Sequence, residues 1–123
     1  MNNCAILLLS LKDDFYSHFD RCKIEICKKE NVYIKNILND DIQIKINDDE
    51  LFYKHPKNVH TLLPKFLWAC CNLKDDLQKY EYIIRCNSST FLNFSVLKKH
   101  IEKLPKTLCY AGSIAFNEYV SGS

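Results

Sequence analysis

"CAILLLSLKDDFYSHFDRCKIEICKK", residues 4–29, carries two different periods in one stretch. Residues 4–10 form a compact, largely apolar run, short enough for a buried strand. Beyond it Phe15, Phe19, Cys22 and Ile26 recur at helical spacing, and Asp13 or Asp14 is available as a cap. The spacing predicts a helix from about Asp14 to about Lys29. Working outward, Val32–Ile37 and Ile42–Ile46 read as strands. In the second, Ile42, Ile44 and Ile46 alternate with Gln43 and Lys45, which predicts one buried and one wet face. "NDDE" makes a turn, and Leu51–Tyr53 reads as a short edge strand. After the loop "HPKNVH", the positions Leu63, Phe66, Leu67, Cys70, Leu73 and Leu77 give the strongest helical stripe in the chain, with Pro64 tolerated in the first turn. Tyr80–Ile84 follows as a strand, Phe94–Leu104 as a helix ended by Pro105, and Cys109–Phe116 and Tyr119–Ser121 as strands. Strands alternating with helices predict an α/β fold, a mostly parallel sheet flanked by helices, in one domain over residues 1–123.

Composition narrows the function classes. With 47% hydrophobic and 12% aromatic residues, 123 residues are enough for one packed core. Seventeen basic residues against 15 acidic ones leave a net charge of +2, with the lysines dispersed, so nucleic-acid binding is not expected. There are two glycines, both in the last dozen residues, which excludes a glycine-rich phosphate loop near the N-terminus. "CAILLLSL" is too short for a membrane span and lacks a basic leader and a cleavage site. Seven cysteines without a CxxC pair read as reduced thiols, which predicts a cytoplasmic protein. The abundance of Lys, Asn and Ile suggests an A/T-rich coding sequence of the kind found in some parasites and large DNA viruses; the compartment would then be a host cytoplasm.

"YEYIIRCNSSTFLN", residues 80–93, begins as a strand and then turns polar. In open α/β sheets ligands bind beyond the carboxyl ends of the strands. Arg85 there is a permanent cation able to fork onto a phosphate or carboxylate, and Asn87, Ser88 and Ser89 offer uncharged donors and acceptors. The competing explanation is a capped turn that merely ends the strand.

These residues also resemble a known family. "RCNSSTFLN" is similar to the strand end of β-1,3-galactosyltransferase-like and Fringe-like glycosyltransferases of the GT-A fold, where a basic residue precedes an Asp-Asp-Asp run and then Phe and Asn. Arg85 matches the basic position, Phe91 the Phe and Asn93 the Asn, while Asn87 and Ser89 stand at the two positions of the metal-binding DxD. "HTLLPKFLWACC" resembles the family helix "NLTLKT…W…C", placing Lys65 and Trp68 on matching positions. "LPKTLCYAG" resembles a Tyr-x-Gly segment, and the final "YVSGS" looks like the start of "SGGGYVLS", a loop beside the substrates, which brings in Ser121 and Gly122. The similarity spans roughly residues 50–123.

The resemblance implies a Rossmann-like N-terminal part of a GT-A domain that binds a nucleotide sugar, a UDP-sugar in the first place, and passes the sugar to a glycan or protein acceptor. The departure at Asn87 and Ser89 implies weak affinity for Mn²⁺ or Mg²⁺, because neutral oxygens do not offset a dication's charge. Arg85, Lys65 and backbone amides would then stabilise the leaving diphosphate. No catalytic residue is identified. The family continues past the point reached at Ser123, so this portion reads as incomplete at its C-terminus, with an open sheet edge suited to self-association. Two alternatives stand beside this: an inactive remnant or interaction module with the same fold, and a receiver-like signalling domain, suggested by Asp13-Asp14 and by Asp48 or Asp49 after strands. His18, His55, His60 and His100 lack the mutual spacing of a metal site. Lys98, Lys99, Lys103 and Lys106 read as a solvated helix face, and Trp68 as core.

Overall fold

The computed structural model describes residues 3–10, 14–39, 45–46, 49–53, 62–88, 90 and 92–105. The elements run β1 (Cys4–Leu9), α1 (Asp14–Lys29), β2 (Tyr33–Asn39), β3 (Lys45–Ile46), β4 (Glu50–Tyr53), α2 (Leu62–Asn72), α3 (Lys74–Leu77), β5 (Tyr82–Asn87) and α4 (Phe94–Glu102). They build a five-stranded sheet in the order β3-β4-β2-β1-β5. Four strands are parallel, and β3 alone pairs antiparallel, on β4. The fold is therefore α/β with a mostly parallel sheet flanked by helices. The strands expected at 109–116 and 119–121 lie outside the described residues, as do Ile42 and Ile44.

Why β1 sits inside the sheet, between β2 and β5, follows from its sequence. All six of its residues are buried, as a parallel strand covered on both faces requires. Its alternate side chains feed two cores. Ala5, Leu7 and Leu9 pack with Ile37, Leu51, Ala69, Leu73 and Leu77 beneath α2 and α3. Ile6 and Leu8 pack with Cys27, Val32, Ile34 and Cys86 beneath α1, with Leu92 and Phe94 at the start of α4 closing that side.

The helix ends are chemically explicable. Asn31 closes α1 with φ 54°, the left-handed position that asparagine tolerates. There Asn31 N–H donates to Lys28 O and Val32 N–H to Cys27 O, the paired bonds of a Schellman ending. Asn93 caps α4, its Oδ1 accepting from Val96 N–H at 3.2 Å. The Tyr82 hydroxyl donates to the carbonyls of Leu104 and Pro105, tying the end of α4 to the start of β5.

Three expectations need correction. Leu51–Tyr53 belongs to an internal strand: β4 lies between β2 and β3, and Leu51 is fully buried. The strand expected over Tyr80–Ile84 runs instead from Tyr82 to Asn87, so Arg85 and Asn87 are strand residues rather than a loop beyond it. And α1 turns another face inward than its apolar stripe suggests, while the stripe from α2 through α3 meets the core only in part. On α1, Asp20, Lys23 and Cys27 are buried while Phe15, Phe19 and Ile26 are exposed. From α2 through α3, Phe66, Cys70, Leu73 and Leu77 of that stripe pack on the core, whereas Leu63 and Leu67 are exposed and Lys65 and Ala69 are buried.

Candidate functional site

The strand order reverses beside β1. From β1 the chain steps to β2 and on to β4 on one side, then crosses back through α2 and α3 to β5 on the other. Such a reversal is where an open parallel sheet forms its ligand crevice; here α1, after β1, and Leu92 and Phe94, after β5, pack on the same face. Leu9 pairs with Asn87 in that register, so Ser10 and Ser88, the next residues, flank the reversal.

Ser10 gathers the rim. Its N–H donates to Ile37 O at 2.9 Å, and its Oγ donates to Asp20 Oδ2 of α1 at 2.8 Å. Its carbonyl accepts from Lys65 Nζ of α2. Lys65 also donates to Asn39 Oδ1, at the end of β2, at 2.7 Å. One buried polar chain thus runs from α1, through the end of β1, to α2 and the end of β2. Ser10, Asp20, Asn39 and Lys65 are all at least nine-tenths buried. Burial lowers the Lys65 ammonium to about 8, the nearby Asp20 charge partly opposing the shift.

Arg85 and Asn87 lie two positions apart on β5, on the face toward α2, and both are exposed. The Arg85 guanidinium carbon sits 5.8 Å from the Phe66 ring centroid, a cation–π contact that steadies the side chain and leaves its edges available. No carboxylate pairs with Arg85 among the described residues. Asn87 N–H donates to Thr90 Oγ1 at 3.1 Å and Thr90 N–H returns to Asn87 O at 3.0 Å, so the turn after the strand is fixed.

Ser88 turns toward the opposite face. Its carbonyl accepts from Lys23 Nζ of α1, and its Oγ is buried with no hydrogen-bond partner among the described residues. Burial raises the neighbouring Cys86 thiol to about 11, Lys23 partly opposing and Asp20 adding to it.

The candidates from sequence therefore divide. Arg85 and Asn87 come together; Ser88 is adjacent on the other face; Lys65 is buried beneath the rim, where it holds Ser10 and Asn39. Ser89, Ser121 and Gly122 lie outside the described residues. Ser10, Asp20, Lys23 and Asn39 escaped the sequence reading. For Ser10 and Asn39 a signal existed: each is a polar residue ending an apolar strand run.

A divalent ion does not fit Asn87, whose amide brings no negative charge to balance it. Among the described residues no three or more His, Cys, Asp or Glu side chains converge. Of the acidic residues that suggested a receiver, Asp14 is the first residue of α1, and Asp49 precedes β4 at the amino edge and is paired with Lys28 at 2.8 Å. Receiver domains order their strands 2-1-3-4-5, whereas here the strand that follows β2 beside it is β4 and the return is to β5. His18 lies against Cys22 and Phe19, His55 and His60 fall outside the described residues, and Lys98, Lys99 and Lys103 are exposed on or just after α4. Trp68 is partly buried against the core, 5.1 Å from the Tyr53 ring. No helix of the described residues is long and apolar enough to cross a membrane. No family model, no curated protein and no solved structure matches the chain.

Proposed function

We propose that this domain binds a nucleotide diphosphate sugar, a UDP-sugar in the first place, at the carboxyl edge between β1 and β5. It is glycosyltransferase-like, either transferring the sugar to a glycan or protein acceptor or holding it without turnover, and it does so without a carboxylate-bound metal. One observation carries this: Arg85 and Asn87 project from the same face of the strand at the order reversal, exposed, with the cation uncommitted to any carboxylate among the described residues. Arg85 is suited to grip a diphosphate by forked, charge-assisted hydrogen bonds. Asn87 adds a neutral donor and acceptor beside it. Lys65 acts through Ser10 and Asn39, positioning the rim rather than touching the ligand. The resemblance of "RCNSSTFLN" to a transferase strand end points the same way.

A thermal-shift panel of UDP-, GDP- and CMP-sugars, each with and without Mn²⁺, tests it. One nucleotide sugar should raise the melting temperature, by the equivalent of about 2.7 kcal/mol at a hundredfold excess over Kd. The shift should be the same with and without Mn²⁺, and Arg85→Ala should weaken binding by roughly tenfold or more. A shift that needs Mn²⁺ would contradict the neutral-ligand account. No shift with any member would favour an interaction module instead, an alternative favoured by Leu63 and Leu67, which stand 59% and 54% exposed on α2.

A further inference from the structure

Helix α1 inverts the ordinary partition of side chains. It turns Asp20 and Lys23 toward the sheet and leaves Phe15 69%, Phe19 44% and Ile26 46% exposed. With the half-buried Cys22, these three apolar residues follow one another at steps of four, three and four. That spacing sets all four on one narrow stripe, the seam that a helix presents to a second helix. The stripe has both relief and depth. Phe15 stands out from it, and a groove of about 320 Å³ runs beside it, between α1 and the turn after β5. A space of roughly 150 Å³ already holds a benzene ring, so the groove has room for an incoming side chain.

Protrusion and recess on one patch suit a two-fold pair. In such a pair each copy gives its ring and receives the other's, so the patch has to complement itself. An antiparallel pairing of α1 meets that condition, with Phe15 against Ile26 of the second copy and Phe19 against Cys22. The flank of the stripe agrees. His18 and Glu25 are both exposed, seven residues apart, on the side of the stripe away from the groove. The same antiparallel register brings His18 of one copy beside Glu25 of the other. Glu25 has no ion pair among the described residues.

Area and charge narrow the occupant further. The exposed parts of Phe15, Tyr16 and Phe19 come to roughly 300 Å² per copy, from about 200 Å² for a whole aromatic side chain. Ile26, Cys22, Leu92 and the charged flank bring a pair toward about 1,200 Å² in total, the low end of specific interfaces. A lipid surface fits less well, because Glu25 and Glu30 stand exposed among Arg21 and Lys29, whereas helices that lie on membranes carry a basic polar face.

We infer that α1 is a self-association surface, through which two copies of this chain pair antiparallel along Phe15, Phe19, Cys22 and Ile26, with His18 and Glu25 matched across the two-fold. The pairing uses a helix rather than a sheet edge. It lies on the face of the sheet opposite Arg85 and Asn87, and stands or falls independently of nucleotide-sugar binding.

Sedimentation of the full chain from low micromolar to near-millimolar concentration tests it. The mass should rise from monomer to dimer with a micromolar dissociation constant. Phe19→Glu, which puts a charge in the middle of the seam, should weaken the dimer about a hundredfold. His18→Glu, which sets like charges opposite each other, should weaken it about fivefold, and adding Glu25→Lys to that variant should restore the wild-type constant. Both positions are exposed, so this pair keeps the fold and provides a test even if Phe19→Glu does not fold. Arg85→Ala should dimerise as the wild type does, and a UDP-sugar should leave the constant unchanged. A chain that stays monomeric throughout, a dimer indifferent to Phe19→Glu, or a charge exchange that restores nothing would each overturn the inference. So would a monomer that cosediments with phosphatidylserine vesicles and is released from them by Phe19→Glu.

Discussion

Ser10 is a residue at which a strand and two helices meet. Lys65 is its costliest partner, an ammonium held out of water with a carbonyl and an amide oxygen as its acceptors among the described residues. Burial moves it from 10.5 to about 8, so between those values the unfolded chain binds the proton that the folded chain has released. Stability from this group therefore rises with pH across that window, and its penalty is fully present below about 8. The expected outcome is that the unfolding free energy of the wild type minus that of Lys65→Met grows by up to roughly 3 kcal/mol between those pH values. Urea melts of both proteins at a series of pH values check it; a flat difference would mean that Lys65 is hydrated in solution.

At the level of elements, the two faces of α1 make contrasting stability predictions. Phe15→Gln should cost under about 1 kcal/mol, as expected of an exposed side chain, whereas Leu7→Ala in the fully buried β1 should cost about 2–5 kcal/mol. Chemical denaturation measures both, and a Phe15 loss as large as that of Leu7 would place the aromatic stripe in the core. The spans of β1, α1 and α4 were legible because each rests on local signals: an unbroken apolar run, a 3.6-residue period, and Asn93 before a helix that Pro105 follows. The inward face of α1 was not, and that of α2 was legible only in part. Periodicity assumes that the most apolar stripe meets the sheet, but here the sheet's carboxyl edge presents carbonyls and hydroxyls, and Asp20, Lys23 and Lys65 turn in to meet them. Arg85 and Asn87 could be read because they share one strand end. Ser10, Asp20, Asn39 and Lys65 are scattered over 55 positions and become neighbours only through strand order.

For the whole molecule, the buried thiols report how well the core beneath α1 is sealed. Cys4, Cys27 and Cys86 are buried and Cys71 is exposed, all of them free. Burial pushes Cys27 to about 12 and Cys86 to about 11, from an ordinary 9. These raised values stabilise the fold below about pH 9, and the benefit is lost as pH climbs through 9 toward 11 and 12, opposite in sign to the Lys65 effect. A disulfide reagent at pH 8 should modify Cys71 within the mixing time and reach Cys27 and Cys86 only at the rate of unfolding, as followed by mass spectrometry. Rapid labelling of Cys27 would show that the α1 core opens on its own. The Ser10 junction has a consequence on a longer timescale. Losing Asp20 or Lys65 alone strands the remaining charge, whereas exchanging both for well-fitted apolar side chains can be neutral or better. Descendants of this sequence should keep the whole set or shed it together, and intermediate combinations should be rare.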